Sequence, residues 1–469
     1  MRSRFAAGFT TSISLLSETL TTNSSSARSS LPEGTVAVAA GLIISGVCAF
    51  AFLGLSKKAL LEQDQKVIQQ LWFWTFALAP GFFLPLEQEV GRALSHRRSL
   101  GQGGLPVVRR AATIGAAIAL ILLIGLVAFG PLLTRNSFEQ ESVAVIALMV
   151  AVVAWGSSHL GRGILAGSGR FRPYGLLMSL DGLFRVIGCL VLAALGVHTL
   201  FAYALLIGIP PVLALAVAFS RQSGVLQAGP EAPWTEVSTN LSWLVLASVA
   251  GAFLLNAGPL LAHPLASVTD KAAGLTWSTT TKDASRLGAF EYSVLLSRLP
   301  LFMFQAVQAA LLPKLARIAA LGAYDEFRRG FKTLLKIVGV VAVLGVIGTG
   351  VLGPLAVRIA YGVKTSNRDM ALLAVASGLY MVAVSMAQAL IALHRHSLVA
   401  IGWILGVIGV VPSLFLSRDL LLRVELALAI GSLIPAVYFS VALLRTLRHP
   451  SHIDAGSITE ALLDHPLTP

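Results

Sequence analysis

The sequence predicts an all-α integral membrane protein with about twelve transmembrane helices in two six-helix lobes. Of its 469 residues, 56% are hydrophobic and only 12% are charged, whereas soluble proteins carry about 25% charged residues. Apolar runs long enough to cross a bilayer as helices, about 20 residues each, recur along the chain. A polar segment at residues 221–240 divides these runs six and six.

The element order follows from the apolar runs and the segments between them. We predict a disordered cytoplasmic tail over residues 1–34, an N-terminal lobe over 35–220, a cytoplasmic linker over 221–240, a C-terminal lobe over 241–446 and a second cytoplasmic tail over 447–469. The spans of the first lobe are predicted at residues 35–55, 67–86, 111–133, 143–165, 174–196 and 200–219. Those of the second are predicted at 241–262, 287–312, 334–359, 370–393, 398–415 and 422–444.

The basic residues of the loops predict the orientation in a bacterial plasma membrane, because cytoplasmic loops collect Lys and Arg. With the amino terminus inside, the cytoplasmic loops hold Arg92, Arg97, Arg98, Arg109, Arg110, Arg162, Arg170, Arg172, Lys314, Arg317, Arg328, Arg329 and Lys332. The opposite loops are poorer but hold Lys57, Lys58, Lys271, Lys282 and Lys364. An even number of helices then places both termini in the cytoplasm.

A short internal repeat supports the six-plus-six division. Residues 79–88 and 299–308 share Pro, Phe and Gln in register, with Pro80 matching Pro300. Both segments lie in the second helix of their half. Because six is an even number, the two halves would share orientation and be related by an axis along the membrane normal. The alternative is a chance match within a small apolar alphabet.

Composition and motifs exclude several classes of function. The net charge of +13 is spread over short loops, which suits anionic lipid headgroups and not a nucleic acid. The sequence has no HExxH, GxSxG or phosphate-binding loop. Its two cysteines lie inside apolar runs and form no metal spacing. We therefore predict a protein that is not an enzyme and that carries no cofactor or metal.

Charged residues at membrane depth are the candidate site, because each costs about 2.5–3.5 kcal/mol on insertion scales and marks a cavity or a paired group. Asp181 and Arg185, spaced i, i+4, share one helix face within reach of an ion pair. The alternative for them is a structural pair that neutralises itself. Glu291, Arg298 and Gln305 recur every seven residues and form one polar stripe.

The proline at position 300 lies beside this stripe and predicts a kink, which favours a helix facing an aqueous cavity over one that serves packing alone. Other polar residues carry no predicted role. Glu87 and Glu89 are placed near the cytoplasmic interface. His159, His394 and His396 are placed at the cytoplasmic helix ends, without zinc spacing.

Three segments carry a family resemblance over most of residues 35–445: SRLPLFMFQAVQAALLPKL at 297–315 followed by YDEF at 324–327, RGILAGSGRF at 162–171 and NAGPLL at 256–261. They resemble the polysaccharide-transporter branch of the multidrug/oligosaccharidyl-lipid/polysaccharide (MOP) exporter superfamily, the Wzx-like flippases. The resemblance implies alternating access, in which two lobes rock around a central cavity and pass the polar head of a lipid-linked sugar across the membrane. Arg185 and Arg298 would be the counter-charges of that anionic head.

The sequence also departs from relatives. Residues 35–55 hold no charge, whereas the drug-exporting branch typically has a cation-coupling carboxylate in its first helix. The helix count is about two short of the fourteen typical of lipid II flippases.

Four functions stay open from the sequence. The leading one is a flippase whose partners are an anionic lipid-linked saccharide and membrane lipids, with envelope glycosyltransferases or a polymerase nearby. A drug/cation antiporter would use Asp181 or Glu291 as its titratable group. A membrane glycosyltransferase or polymerase would need a large acidic outer loop, but residues 263–286 hold only Asp270 and Asp283 before the next span. The fourth is a scaffold without transport.

Overall fold

The computed structural model describes residues 34–238, 241–267, 281–301, 304, 318 and 322–448, and within them the regular structure is helical, without strands. The first lobe consists of α1 (Thr35–Ala59), α2 (Glu62–Ser99), α3 (Leu105–Asn136), α4 (Val143–Gly167), α5 (Phe171–Ala194) and α6 (Leu200–Phe219). One helical turn, Thr235–Ser238, precedes the second lobe. That lobe consists of α7 (Leu241–Ser267), α8 (Thr281–Ser297), α9 (Tyr324–Tyr361), α10 (Asn367–Ala392), α11 (His396–Ser413) and α12 (Leu420–Arg448).

Eleven helices of the described ranges are long and apolar enough to cross a membrane by length and composition. They coincide with eleven of the predicted spans. The twelfth span, predicted at 287–312, includes part of α8 and continues into residues outside the described ranges. The predicted site residue Gln305 also lies outside those ranges. The predicted tails also lie almost wholly outside those ranges.

Two helices are much longer than predicted. α2 and α9 each contain 38 residues, which at 1.5 Å per residue gives about 57 Å, against about 30 Å for the hydrocarbon core of a bilayer. In α2 the extra turns include the basic segment that was predicted as a loop. It stays helical because Arg97 is buried there, with its Nε and Nη2 donating to the carboxylate of Glu236 at 2.7 and 2.9 Å and Nη1 donating to the carbonyl of Pro230 at 2.7 Å.

The outer faces of the bundle are apolar. On α3 the side chains of Leu120, Ile121 and Ile124 are each more than half exposed, as are those of Val340 and Leu344 on α9. Soluble proteins do not present such contiguous apolar faces to water. These faces and the eleven long apolar helices identify a multi-pass membrane protein.

The order of helix packing repeats between the lobes. In the first lobe α1 packs on α5, α2 on α4, α4 on α6 and α5 on α6, and in the second α7 packs on α11, α8 on α10, α10 on α12 and α11 on α12. The α1–α5 contact is close enough that a Cβ added at Gly175 would lie 2.2 Å from the carbonyl oxygen of Ala37. The predicted all-α fold with two six-helix lobes is confirmed, and the repeated packing order agrees with the predicted duplication.

Candidate functional site

The lobes meet where α2 of the first packs along α7 of the second, and prolines determine the hydrogen bonding there. Pro80 lies inside α2 and has no N–H to donate to the carbonyl of Phe76, four residues earlier. That carbonyl accepts a hydrogen bond from Nδ2 of Asn256 on α7, at 3.2 Å. A side chain of one lobe thus replaces the backbone donor that a helix of the other lobe lacks.

Arg298 likewise donates to a backbone carbonyl that a proline leaves without its helical donor, in this case a carbonyl of α7. Pro259 leaves the carbonyl of Leu255 without its helical donor, and Nη2 of Arg298 donates to that oxygen. Its Nη1 donates to Oδ1 of Asn256 at 3.1 Å, and its guanidinium carbon lies 5.5 Å from the centre of the Phe73 ring on α2. Arg298 therefore lies at the lobe interface, almost fully buried.

The charge of Arg298 is not paired within the described part of the chain. Its two hydrogen-bond acceptors, an amide and a backbone carbonyl, are neutral, and no carboxylate of the described residues lies within ion-pair distance of it. The Phe73 ring compensates a cation only partly, by about 0.5–2 kcal/mol. Because a buried charge without a counter-charge costs several kcal/mol, this guanidinium is suited to receive an anion.

Arg185 has a different environment, inside the first lobe. Its Nη2 donates to Oδ1 of Asp181 at 2.8 Å, which is the ion pair that the i, i+4 spacing predicted. Its Nε donates at 3.1 Å to the carbonyl of Leu206, which Pro210 leaves without a helical donor. The guanidinium carbon lies 5.3 Å from the centre of the Trp72 ring on α2.

The two predicted cationic residues thus lie on different sides of α2, next to Trp72 and Phe73 respectively. Arg298 is at the lobe interface and Arg185 is neutralised by Asp181 within one lobe. A shared role in binding one anionic head stays a prediction for Arg185.

Glu291 lies on α8, seven residues before Arg298, which directly follows that helix, and is also buried at the interface. Its Oε1 accepts a hydrogen bond from Nε2 of Gln70 on α2. The same Nε2 donates to the carbonyl of Pro259 at 3.2 Å. The structure therefore brings Glu291 and Arg298 to one interface between the lobes, as the seven-residue spacing predicted for one face.

A second set of contacts joins the lobes at the end where α1 finishes and α2 begins, which we call the outer end, following the predicted orientation. Lys57 of α1 donates to the carbonyl of Tyr361, the last residue of α9, and its Nζ lies 5.1 Å from the centre of the Tyr292 ring on α8. The rings of Tyr292 and Tyr361 stack with centres 4.1 Å apart. Nε2 of Gln65 on α2 donates to the Tyr292 hydroxyl at 3.0 Å. We refer to these four residues as the outer contact.

Sequence reasoning missed a buried polar cluster in the first lobe. Oε2 of Glu87 on α2 lies 2.7 Å from Nδ1 of His159 and 3.2 Å from Nε of Arg162, both on α4. The hydroxyl of Tyr174 on α5 donates to Oε1 of Glu87 at 2.9 Å. The i, i+3 spacing of His159 and Arg162 could have predicted that both side chains lie on one helix face. Glu87 was assigned to the membrane interface because its helix was predicted to end one residue earlier.

Comparison with known proteins adds two kinds of relative. No protein-family model matches the chain. An uncharacterized protein of Mycobacterium bovis and one of Mycobacterium tuberculosis are each 24% identical to it over 439 residues, which cover 90% of this chain and 95% of theirs. The match therefore extends over most of this chain and of both relatives.

Solved structures have the same fold. A crystal structure of MATE in the bent conformation superposes with a TM-score of 0.66 at 14% identity, covering 90% of this chain and 96% of that one. Outward-facing and inward-facing conformations of a multidrug resistance MATE family transporter of the MOP superfamily each give 0.62 at 14% identity, covering 90% and 89% of this chain and 95% and 96% of theirs. The chain has the two-lobed MATE-like transporter fold.

Proposed function

We propose that this protein passes a lipid-linked saccharide precursor across the bacterial plasma membrane by alternating access between its two lobes. The MATE-like fold supports an exporter of this kind, because solved structures with that fold include both outward-facing and inward-facing conformations of multidrug resistance MATE family transporters. In the proposed cycle the polar head moves between the lobes while the lipid tail stays in the bilayer. The transported molecule is not chemically changed.

The single observation that carries the substrate class is Arg298. A buried guanidinium at the lobe interface, held by neutral acceptors, favours an anionic ligand such as the diphosphate of a lipid-linked sugar. Arginine binds such a group through two parallel, charge-assisted hydrogen bonds. A cationic drug at the same place would be repelled.

A drug/cation antiporter is the second candidate, and Glu291 favours it. Its buried carboxylate lies at the same interface, and a solved neighbour is described as a multidrug resistance transporter. The two candidates therefore differ in which buried residue of this interface meets the substrate: Arg298 for an anionic lipid head, Glu291 for a cation.

Partners and location belong to the same proposal. An anionic lipid-linked saccharide would be made and consumed by envelope glycosyltransferases or a polymerase, so these are the proposed neighbours of the flippase. The proposed location is the plasma membrane with both termini in the cytoplasm, supported by the distribution of basic loops.

The test is a flipping assay with a fluorescent lipid-linked sugar in reconstituted vesicles. We expect Arg298→Gln to reduce the flipping rate at least tenfold, since losing one charge-assisted interaction of about 1.5–3 kcal/mol corresponds to roughly 10- to 150-fold. Glutamine can still donate to the Leu255 carbonyl, so insertion and folding should persist. Arg298→Lys should recover part of the rate, because a point charge replaces a fork.

The matched control is Arg135→Gln, because Arg135 is an exposed residue in the last turn of α3; this variant should flip at the native rate. Full flipping by an Arg298→Ala, Arg185→Ala double variant would contradict the cationic site. A protein that extrudes a cationic dye and does not flip the lipid, with the dye activity lost in Glu291→Gln, would favour the antiporter instead.

A further inference from the structure

One buried carboxyl group of the second lobe has no role in the proposed path. Glu425 lies in the second turn of α12, near the outer end, and its side chain is completely buried. Neither of its carboxylate oxygens has a hydrogen-bond partner among the residues that the structure describes. An ionised carboxylate in such a place costs several kcal/mol, because nothing replaces the water it has lost. The pocket therefore accommodates the neutral acid better than the anion.

The charged groups whose electrostatic fields act on Glu425 come from three elements. They are Asp369 and Arg368 at the start of α10, Asp419 just before α12, and Arg286 on α8. Arg368 lies 2.8 Å from Oδ1 of Asp369 and 3.8 Å from Oδ1 of Asp419, and Arg286 lies 3.4 Å from Oδ2 of Asp419. Both guanidinium groups are thus engaged by the two aspartates.

Charge balance in this group requires one proton. Among the residues that the structure describes, two guanidinium groups stand beside two aspartates, so these five side chains sum to zero charge only when the fifth, Glu425, is protonated. A metal ion is a poor alternative, because two guanidinium groups stand beside the carboxyl and the described residues hold no group of ligands suited to a metal.

We propose that Glu425 is a proton-binding site of the second lobe, loaded in this conformation and exchanging its proton with the outer aqueous phase. A water-borne proton forms an O–H bond with one carboxyl oxygen and leaves by the same route, and no other bond changes. Within this group Asp419 and Arg286 are partly exposed, at 36% and 40%, so we place the exchange with water on their side of Glu425. This site does not depend on what the protein transports.

Infrared spectroscopy of the purified full-length protein in nanodiscs of ether-linked lipids tests this directly, because a protonated carboxylic acid has a C=O band separate from that of a carboxylate and these lipids have no ester carbonyl that would cover it. At neutral pH we expect such a band in the native protein and its loss in Glu425→Gln. Glu62→Gln is the matched control, since Glu62 is a largely exposed glutamate at the same outer end, and it should retain the band in full.

Glu425→Asp keeps the test decisive if the glutamine variant does not fold, because an aspartic acid absorbs at a different frequency and the band should shift. Absence of a protonated-acid band in the native protein at neutral pH would overturn the proposal. So would a band that is unchanged in both variants. A band that appears or disappears with sodium at constant pH would also overturn it, in favour of a sodium site.

Discussion

The outer contact holds the lobes together through Lys57, and its removal should open them. The Lys57 ammonium group donates to the carbonyl of Tyr361 at the carboxyl end of α9, where the helix dipole also favours a cation. A hydrogen bond to a charged group contributes about 1.5–3 kcal/mol. Taking about 2 kcal/mol for Lys57→Met, the equilibrium between joined and separated outer ends should shift about 30-fold toward separation.

Distances between two spin labels measure this shift. Both native cysteines are buried and would be replaced by alanine, after which labels are attached at Leu61→Cys and Lys364→Cys. These positions are exposed and lie at the outer ends of the first and second lobes, respectively. The joined state should dominate the distance distribution in the parent, and a longer distance should gain population in Lys57→Met.

Lys58→Met is the matched control, because Lys58 is the next residue of α1 and its side chain is exposed. It should leave the distance distribution of the parent unchanged. The same distribution in Lys57→Met, Lys58→Met and the parent would refute the reasoning that the Lys57–Tyr361 hydrogen bond holds the outer ends together.

Three further outcomes are expected. Arg185→Ala leaves the Asp181 carboxylate buried without its cation and should lower the free energy of unfolding by about 3–5 kcal/mol. In a thermal melt, the Arg185→Ala, Asp181→Ala variant should regain part of that stability, and no gain would count against the ion pair. Burial raises the pKa of Asp419, but the Leu422 N–H and two guanidinium groups outweigh it and hold that pKa below 3.8. The stabilisation that Asp419 contributes is therefore present above the pKa it has in the unfolded chain and is lost as pH falls through the pKa it has in the folded protein. Asp419→Asn should flatten the dependence of unfolding free energy on pH below about pH 4, and an unchanged dependence there would contradict this. A reporter fused after Pro469 should read as cytoplasmic, and a periplasmic signal would mean an odd number of spans.

The fold could be predicted because hydropathy is a local signal that needs no knowledge of packing. Helix ends were less predictable, since the cytoplasmic end of α2 depends on Arg97 being buried by acceptors more than 130 positions along the chain. Charge alone marked that segment as a loop. The same error placed Glu87 at a membrane surface, although it lies inside the first lobe with His159 and Arg162.

The site was partly predictable for a similar reason. Arg298 and Glu291 could be found because charge at membrane depth is conspicuous, and Asp181 and Arg185 because their spacing is local. Whether an arginine is paired depends on its neighbours in space: Arg185 has a carboxylate and Arg298 has an amide, Asn256, from 42 positions away. Glu425 was missed because the group that surrounds it assembles from three helices.

The proline-freed carbonyls have a consequence for how the lobes move. The carbonyl of Phe76 on α2 is satisfied by Asn256 of the other lobe, and Ser248 of α7 donates to the carbonyl of Pro80 at 3.0 Å. The carbonyl of Pro80 keeps the N–H of Leu84 as its helical donor. The carbonyl of Phe76 has none, so when the lobes part it must take up a water molecule in place of Asn256, since a bare carbonyl is costly. The joint between the lobes is therefore hydrated as it opens, and lower water activity, as under osmotic stress, shifts it toward the joined state.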